Sequence, residues 1–477
     1  RNLPADQPQN QYPTHFSWNF MNGGNGWFGV SYLHSFQILK HYGMPNVADY
    51  GGTLSTGGPK RWLSGYSEYF NGMHNRISGF SQVFVEDEDD LLTIKGWIHN
   101  HLDNSAVGGV ASFYANYMSA NNVLPPGTPE EGKYVLTYFG GSPNHAMTIV
   151  GYNDSIRWDY NQDGQYTNDT DINGDGEVDL KDWEIGGFKM VQSYGGVPNW
   201  GDNGYAYMMY KTLADDLGSG GVWNHSVHIL DVKPEYDPLL TARVILTHDL
   251  RNTVKVITGI ANSINATHPE YRLDFPIYDY QGGYNYMQGG TDESDKTIEF
   301  GLDLSPLLTH VVTGQPIKFF LEVVEDDPDN SGTGQVDHFS VYDHTGTMVE
   351  ITSPQSNVPI NENDTTRLSL VHTINFDMVT IENEALPAAP QSQPYSCQMI
   401  ASGGTQPYVW ELDKNYEETS SSATFPLITA NQLSPNGSSE GFVTQPIDFN
   451  FPFFDSSYSS ITIHVDGYIM FDEQLYP

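Results

Sequence analysis

The chain has 477 residues, 38% of them hydrophobic and 13% aromatic, which is ample for packed cores and too long for a single one. Twenty Lys and Arg stand against 59 Asp and Glu, a net charge of −39, which argues against nucleic acid and anionic membranes as partners because both reward clustered cations. No apolar run approaches the roughly 20 residues of a membrane helix, and the lone cysteine, Cys397, rules out an intrachain disulfide, leaving packing and bound cations to supply rigidity.

In chain order, residues 1–234 mix helical and strand patterns. Residues 29–43 read as a helix, with Val30, Leu33, Ile38 and Leu39 near one face and a stop at Gly43 and Pro45. Residues 86–102 read as a second, its acidic start complementing the helix dipole. The runs 145–153 and 187–195 read as buried strands. From 235 to 383 the pattern becomes short strands and turns, as in 242–250, 253–261, 317–326 and 338–346, which predicts a β-sandwich. A Pro/Ala-rich linker, 382–396, leads into a third β-rich block over 384–477. The fold class expected is therefore multidomain, an α+β N-terminal domain followed by all-β sandwich domains. The first residue is Arg1 with no leader-like apolar stretch, which reads as a processed mature form, and the strand-like 461–473 near the end reads as an incomplete module.

The sharpest chemical signal lies in residues 159–182. Asp171, Asn173 and Asp175 occupy positions 1, 3 and 5 of an acidic loop, followed by Gly176, the Glu177 carbonyl at 7, Asp179 at 9 and Asp182 at 12. The half before it repeats the pattern with Asp159, Asn161, Asp163, Gly164 and the Gln165 carbonyl, closed by Asp169 or a shared Asp171. That spacing wraps oxygen ligands around a cation, with glycine allowing the sharp turn, and hard oxygen donors favour Ca²⁺ over zinc. Two or more calcium ions are expected. The tandem is similar to the calcium loops of dockerins and thrombospondin type 3 repeats. Asp326, Asp327, Asp329 and Asn330 form a further acidic turn that reads equally as a cation site or a solvated loop.

The acidic loops are flanked by "PNHAMTIVGYN" (143–153) and "GGFKMVQSYGGVPNWGDNGYAYMMY" (186–210). Both resemble segments of the papain-type cysteine peptidases, so the loops, about 154–184, become an insertion between two strands. The resemblance implies that His145 takes the place of the catalytic imidazole, Gln192 that of the asparagine orienting it, and Tyr194 that of the shielding tryptophan. The family expects Gly-x-Cys-Trp ahead of a helix. Matching this to Gly24, Asn25, Gly26 and Trp27 puts Gly26 at the nucleophile's position and Phe20 at that of the oxyanion-hole glutamine. The thiolate is then missing, and the expected domain is an inactive peptidase scaffold. The alternative is an active peptidase whose nucleophile was removed or lies in another register. "LPAAPQSQPYSCQMIASGGTQPYVW" (386–410) resembles the immunoglobulin-like modules of bacterial surface proteins.

Together these readings predict a secreted or cell-surface, bacterial, calcium-binding protein. Its expected partners are a protein or polysaccharide ligand, or further copies in an extracellular assembly. Tyr278, Tyr280, Tyr284 and Tyr286 are the residues expected to form a carbohydrate platform on the sandwich, should one exist there.

Overall fold

The computed structural model describes residues 6–54, 58, 60–102, 105, 107–117, 122–195, 200–377, 379–383, 397–404, 410, 442–453, 456–464 and 469–470. Strand outweighs helix, as the composition predicts, and residues 1–419 form one compact unit. Among the described residues no helix is long and apolar enough to cross a membrane.

Four helices lead the chain: α1 (Thr14–Met21), α2 (Tyr32–His41), α3 (Val47–Tyr50) and α4 (Tyr66–Met73). An eight-stranded sheet follows, built from β1 (Ile77–Phe84), β2 (Ala111–Ala115), β3 (Asn122–Val123), β4 (Tyr134–Leu136), β5 (His145–Arg157), β6 (Ile185–Val191), β7 (Tyr205–Met209) and β8 (Ser226–Val232). Its order is β1-β8-β2-β5-β6-β7-β4-β3, so the two runs read as buried strands lie side by side at its centre. α5 (Glu88–Asn100) and α6 (Tyr210–Ala214) pack on it. α5 starts where the acidic run predicts, because Asp87 and Asp90 close a reciprocal capping box over its first N–H groups.

The sandwich-like part has two antiparallel sheets. One runs β11-β10-β13-β17, with β10 (Val254–Ala261), β11 (Tyr271–Asp279), β13 (Pro316–Glu325) and β17 (Thr365–Thr373). The other runs β12-β9-β14-β15, with β9 (Leu240–His248), β12 (Thr297–Asp303), β14 (Gly334–Asp343) and β15 (Val349–Thr352), and β16 (Val358–Pro359) beside β14. Inward residues alternate along the strands: Ala242, Val244 and Leu246 from one sheet share a core with Phe319, Leu321 and Val323 from the other. The four segments singled out in the sequence all fall in these strands.

The cores do not divide at residue 234. Phe16 and Phe20 of α1, Ile38 of α2, Tyr50, Trp62 and Tyr69 are buried in the same cluster as the sandwich strands. Phe20 lies 4.8 Å from the Trp62 ring and 5.8 Å from Tyr278, and Tyr278 lies 4.3 Å from Phe300. The eight-stranded sheet keeps its own core over Val85–Ile229. A buried ion pair, Arg76–Asp303 at 2.8 Å, ties the end of the helical segment to the sandwich. The first 76 residues thus pack on the C-terminal half of this unit as well as preceding the sheet.

β18 (Thr380–Ile381) pairs with β19 (Ala401–Ser402). Residues 420–477 form a second unit, in which β20 (Phe442–Phe453), β21 (Ser456–His464) and β22 (Ile469–Met470) make an antiparallel sheet. Most of the linker and of the run 386–410 lies outside the described residues.

Candidate functional site

β5 and β6 neighbour each other, and this brings His145 and Gln192 together from 47 positions apart. His145 Nε2 lies 3.2 Å from Gln192 Oε1, and the same oxygen accepts the Tyr194 N–H at 3.2 Å. An amide oxygen only accepts, so the imidazole donates from Nε2, and the neutral ring keeps its lone pair on Nδ1. Tyr194 stacks on the imidazole at 5.1 Å and 19°, and Tyr117 meets it edge-on at 5.8 Å. Asn144 steadies the strand's start: its Oδ1 accepts from Tyr117 N–H and its Nδ2 donates to Asn116. Gln192 is buried, and its Nε2 has no hydrogen-bond partner among the described residues.

Burial holds the His145 imidazole below the usual 6.5, and the hydrogen bond to Gln192 offsets part of that by favouring the protonated ring. Gln192→Leu should therefore lower the His145 pKa further, read from ring proton shifts in an NMR titration; an unchanged or raised value would contradict the pairing. Because the folded-state value is depressed, the stability linked to this ring is fully present above about pH 6.5 and is lost as pH falls through the folded pKa.

Gly26 does not stand at a helix N-terminus. α2 begins at Tyr32 and its N-cap is Ser31, whose Oγ accepts from His34 N–H. Gly26 lies five residues earlier in a turn, at φ +75°, a left-handed backbone that favours glycine. The helix-terminus position assigned to Gly26 therefore belongs to Ser31. The start of α2 also reaches this sheet: the Tyr32 ring lies 6.2 Å from that of Tyr114 in β2, and the next residue, Ala115, whose side chain alternates to the other face, pairs with His145. Serine is a favoured N-cap, but the apolar Val30 before it extends the apparent helix back to residue 29 and hides Ser31 inside the run.

The two acidic loops fold alike. Asp159 accepts from the N–H groups of Asp163 and Gly164, and Asp171 from those of Gly174 and Gly176. Asn161 Oδ1 receives Asp163 N–H, and Asn173 Oδ1 receives Asp175 N–H. Asp163 and Asp175 then cap Gln165 and Glu177 at 2.7 and 2.9 Å. Gly164 and Gly176 adopt φ of +81° and +94°, the left-handed turn expected at position 6. Asp179 and Asp182 form a reciprocal capping box around the turn Leu180–Asp182, and Asp182, wholly buried, also accepts from Ile172 and Asn173 N–H. Asp169 bonds the Thr167 hydroxyl. The stems are fixed independently: buried Glu184 accepts from Tyr160 and Thr167 N–H, and Asn168 clamps Glu184 and Ile185.

Among the described residues no three His, Cys, Asp or Glu side chains are gathered as a metal site. The 1, 3 and 5 positions of each loop supply two carboxylates and an amide oxygen, and position 7 a main-chain carbonyl. A carboxylate has about four acceptor sites, so residues of this type in this register fit a calcium cage while still holding their backbone N–H groups.

The third acidic turn is occupied by its own chain. Asp327 is buried and accepts from the N–H groups of Ser331 and Gly332, which hold its carboxyl below the usual range against the opposing effect of burial. Asn363 braces Asn330 and the Asp327 backbone. Of the four tyrosines expected to form a platform, Tyr278 is a core residue and Tyr286 lies under the Lys296 ammonium at 5.1 Å, while Tyr284 is 80% exposed. Compared with known protein families, with characterised proteins and with solved structures, the chain matches none.

Proposed function

We propose that this is a secreted or cell-surface calcium-binding protein whose N-terminal region is a papain-like domain without peptidase activity, serving in binding or as a unit of an extracellular assembly. The observation that carries the reading is a buried-amide-oriented, tyrosine-covered imidazole, His145–Gln192–Tyr194, on the sheet that meets a helix capped by serine. In this register Gly29-Val30-Ser31-Tyr32 stands for the family's Gly-x-Cys-Trp. Asn25, six residues before Ser31, then stands for the oxyanion-hole glutamine; its Oδ1 is held by Trp27 and Phe28 N–H. A hydroxyl is a far weaker nucleophile than a thiolate near neutral pH, so the scaffold keeps the oriented base and lacks the group it would activate.

Asp159, Asn161, Asp163 and the Gln165 carbonyl would hold one Ca²⁺, and Asp171, Asn173, Asp175, the Glu177 carbonyl and Asp182 the other. Bound ions would supply charge neutralisation in an acidic chain and fix the insertion between β5 and β6. Neutralised and pinned in this way, the region presents a stable surface outside the cell, where millimolar calcium loads even weak sites. A fluorogenic casein incubated with the full chain, reductant and calcium should remain uncut. Turnover that disappears in His145→Ala would overturn the inactive reading.

A further inference from the structure

The three most exposed large hydrophobic side chains among the described residues are Trp27 at 92%, Tyr284 at 80% and Phe28 at 71%. They belong to two glycine-rich turns far apart in sequence. The fold interlocks these turns: a Cβ on Gly24 would collide with the Gly282 carbonyl and the Asn285 amide, and one on Gly283 with the Gly23 carbonyl. Gly23, Gly24, Gly282 and Gly283 all have positive φ, between +63° and +83°. Only glycine allows both the conformation and the approach.

The rings are exposed on a fixed frame. Asn25 Oδ1 accepts from Trp27 N–H at 2.9 Å and Phe28 N–H at 3.3 Å, and Trp18 Nε1 donates to the Phe28 carbonyl at 3.1 Å. Asn22 Oδ1 receives Gly24 N–H at 2.7 Å. Beneath them Arg251, 1% exposed and lying 4.2 Å from the Trp62 ring centre, donates from Nε to the Gly282 carbonyl, and its own N–H bonds the Asn285 carbonyl. The Asn285 amide also donates to Gly282. Aromatic area held out in water by this many contacts is costly for a monomer to keep and is pre-organised for a ligand.

The chemistry of the two turns narrows that ligand. Residues 18–33 and 280–291 contain no Asp, Glu, Lys or Arg, in a chain of net charge −39. They offer ring faces, amides and hydroxyls, and the ammonium over Tyr286, that of Lys296, is already paired with Asp249 and Glu293 and so does not favour an anionic ligand. The acidic surplus elsewhere repels anionic bilayers. A pyranose ring shows a face of weakly positive C–H groups that suits the negative face of an aromatic ring, and its rim of hydroxyls suits amide partners. The geometry points to a platform for a neutral polysaccharide, built jointly by the segment ahead of α2 and the loop after β11. It is independent of the peptidase resemblance and of calcium.

The test is affinity gel electrophoresis of the full chain through laminarin, xylan, mannan and starch. At least one should retard the protein, and Trp27→Ala and Tyr284→Ala should each weaken retardation about tenfold or more, as truncation of a central aromatic contact does. Met348→Ala, a ring-free exposed position on the sandwich, serves as control and should change nothing. Because the substituted rings are solvent-exposed, the melting temperature should stay constant, which separates lost binding from lost fold. No retardation by any of the four polymers would overturn the proposal. So would retardation indifferent to both substitutions, or co-sedimentation with phosphatidylcholine vesicles in place of glycan binding.

Discussion

Ser31→Cys, made in a Cys397→Ser background, is expected to give a thiol that reacts with iodoacetamide at pH 5.5 about tenfold faster than Cys397 does in the parent chain. The magnitude follows from two opposing effects. An ordinary thiol with pKa about 8.5 is about 0.1% thiolate at that pH, whereas one lowered to about 4 by a helix N-terminus and an imidazolium is nearly all thiolate. The gain of about a thousandfold in thiolate is largely offset by the weaker nucleophilicity of the more acidic thiol, with a Brønsted slope near 0.45, and about tenfold survives. The side chain caps α2 and is exposed, so the substitution costs at most a helix cap, about 1 kcal/mol. His145→Ala in the same background should return the rate to that of Cys397. If Ser31→Cys reacts no faster and is indifferent to His145, the start of α2 does not face the imidazole and the papain-like reading fails. The same variant is the one in which casein cleavage is expected to appear.

Gly26 lies in a turn, away from the helix N-terminus that the resemblance asks of its nucleophile. Trp27 after a Gly-rich stretch draws the eye to a Gly-x-Cys-Trp register, but the chemistry needs a helix N-terminus, and only the residue that ends the extended backbone can provide it. Ser31 is that residue, and serine is a favoured N-cap. The apolar runs around His145 and Gln192 read as buried strands, but that these strands are neighbours was implied only by the resemblance, since a run of apolar residues does not name its partner. The strands of the sandwich were equally legible from alternation. What the sequence did not disclose is that Phe16, Phe20 and Trp62 pack against Tyr278 and Phe300. Apolar side chains specify burial without specifying a partner, so a core shared across more than 200 positions leaves no local pattern. For the same reason Tyr278 passes for a surface ring beside Tyr280 and Tyr284, although it faces the core. Asp327 reads equally as a cation ligand or part of a solvated loop; the structure adds that its carboxylate accepts from Ser331 and Gly332 N–H, bonds of the kind that Asp159 and Asp171 also accept, and a sequence carries no sign of them.

Transfer from 1 mM calcium into excess EGTA, at constant 150 mM NaCl, is expected to lower the melting temperature of the chain by several degrees. A native-state site with Kd of about 1 µM contributes about 4 kcal/mol at 1 mM ligand, and two such sites act on the same insertion. At about 2.1 cal/mol/K per residue, a compact unit of about 400 residues moves its midpoint by about 1 °C per kcal/mol, so the two sites together give several degrees. The constant salt matters, because a net charge of −39 makes part of any cation effect simple screening. The effect should not stay within the loops. Leu180, two residues before Asp182, is buried in the core of the eight-stranded sheet, and Tyr160 next to Asp159 bonds Thr212 of α6. Release of the ion leaves Asp159 with Asp163, and Asp171 with Asp175, as closely spaced like charges, and their repulsion pulls on both anchors. Asp171→Asn together with Asp175→Asn should abolish about half of the calcium-dependent shift, the first loop keeping its ligands, while raising the midpoint in EGTA, since the repulsion in the second loop goes with its ligands. Magnesium, which demands a tighter octahedral shell, should not replace calcium at equal concentration. An identical midpoint with and without calcium would remove the metal from this protein's account. The acidic loops would then be turns held by side chains such as Asp159, Asp171, Asp182 and Glu184, whose bonds to backbone N–H groups exist without any ion.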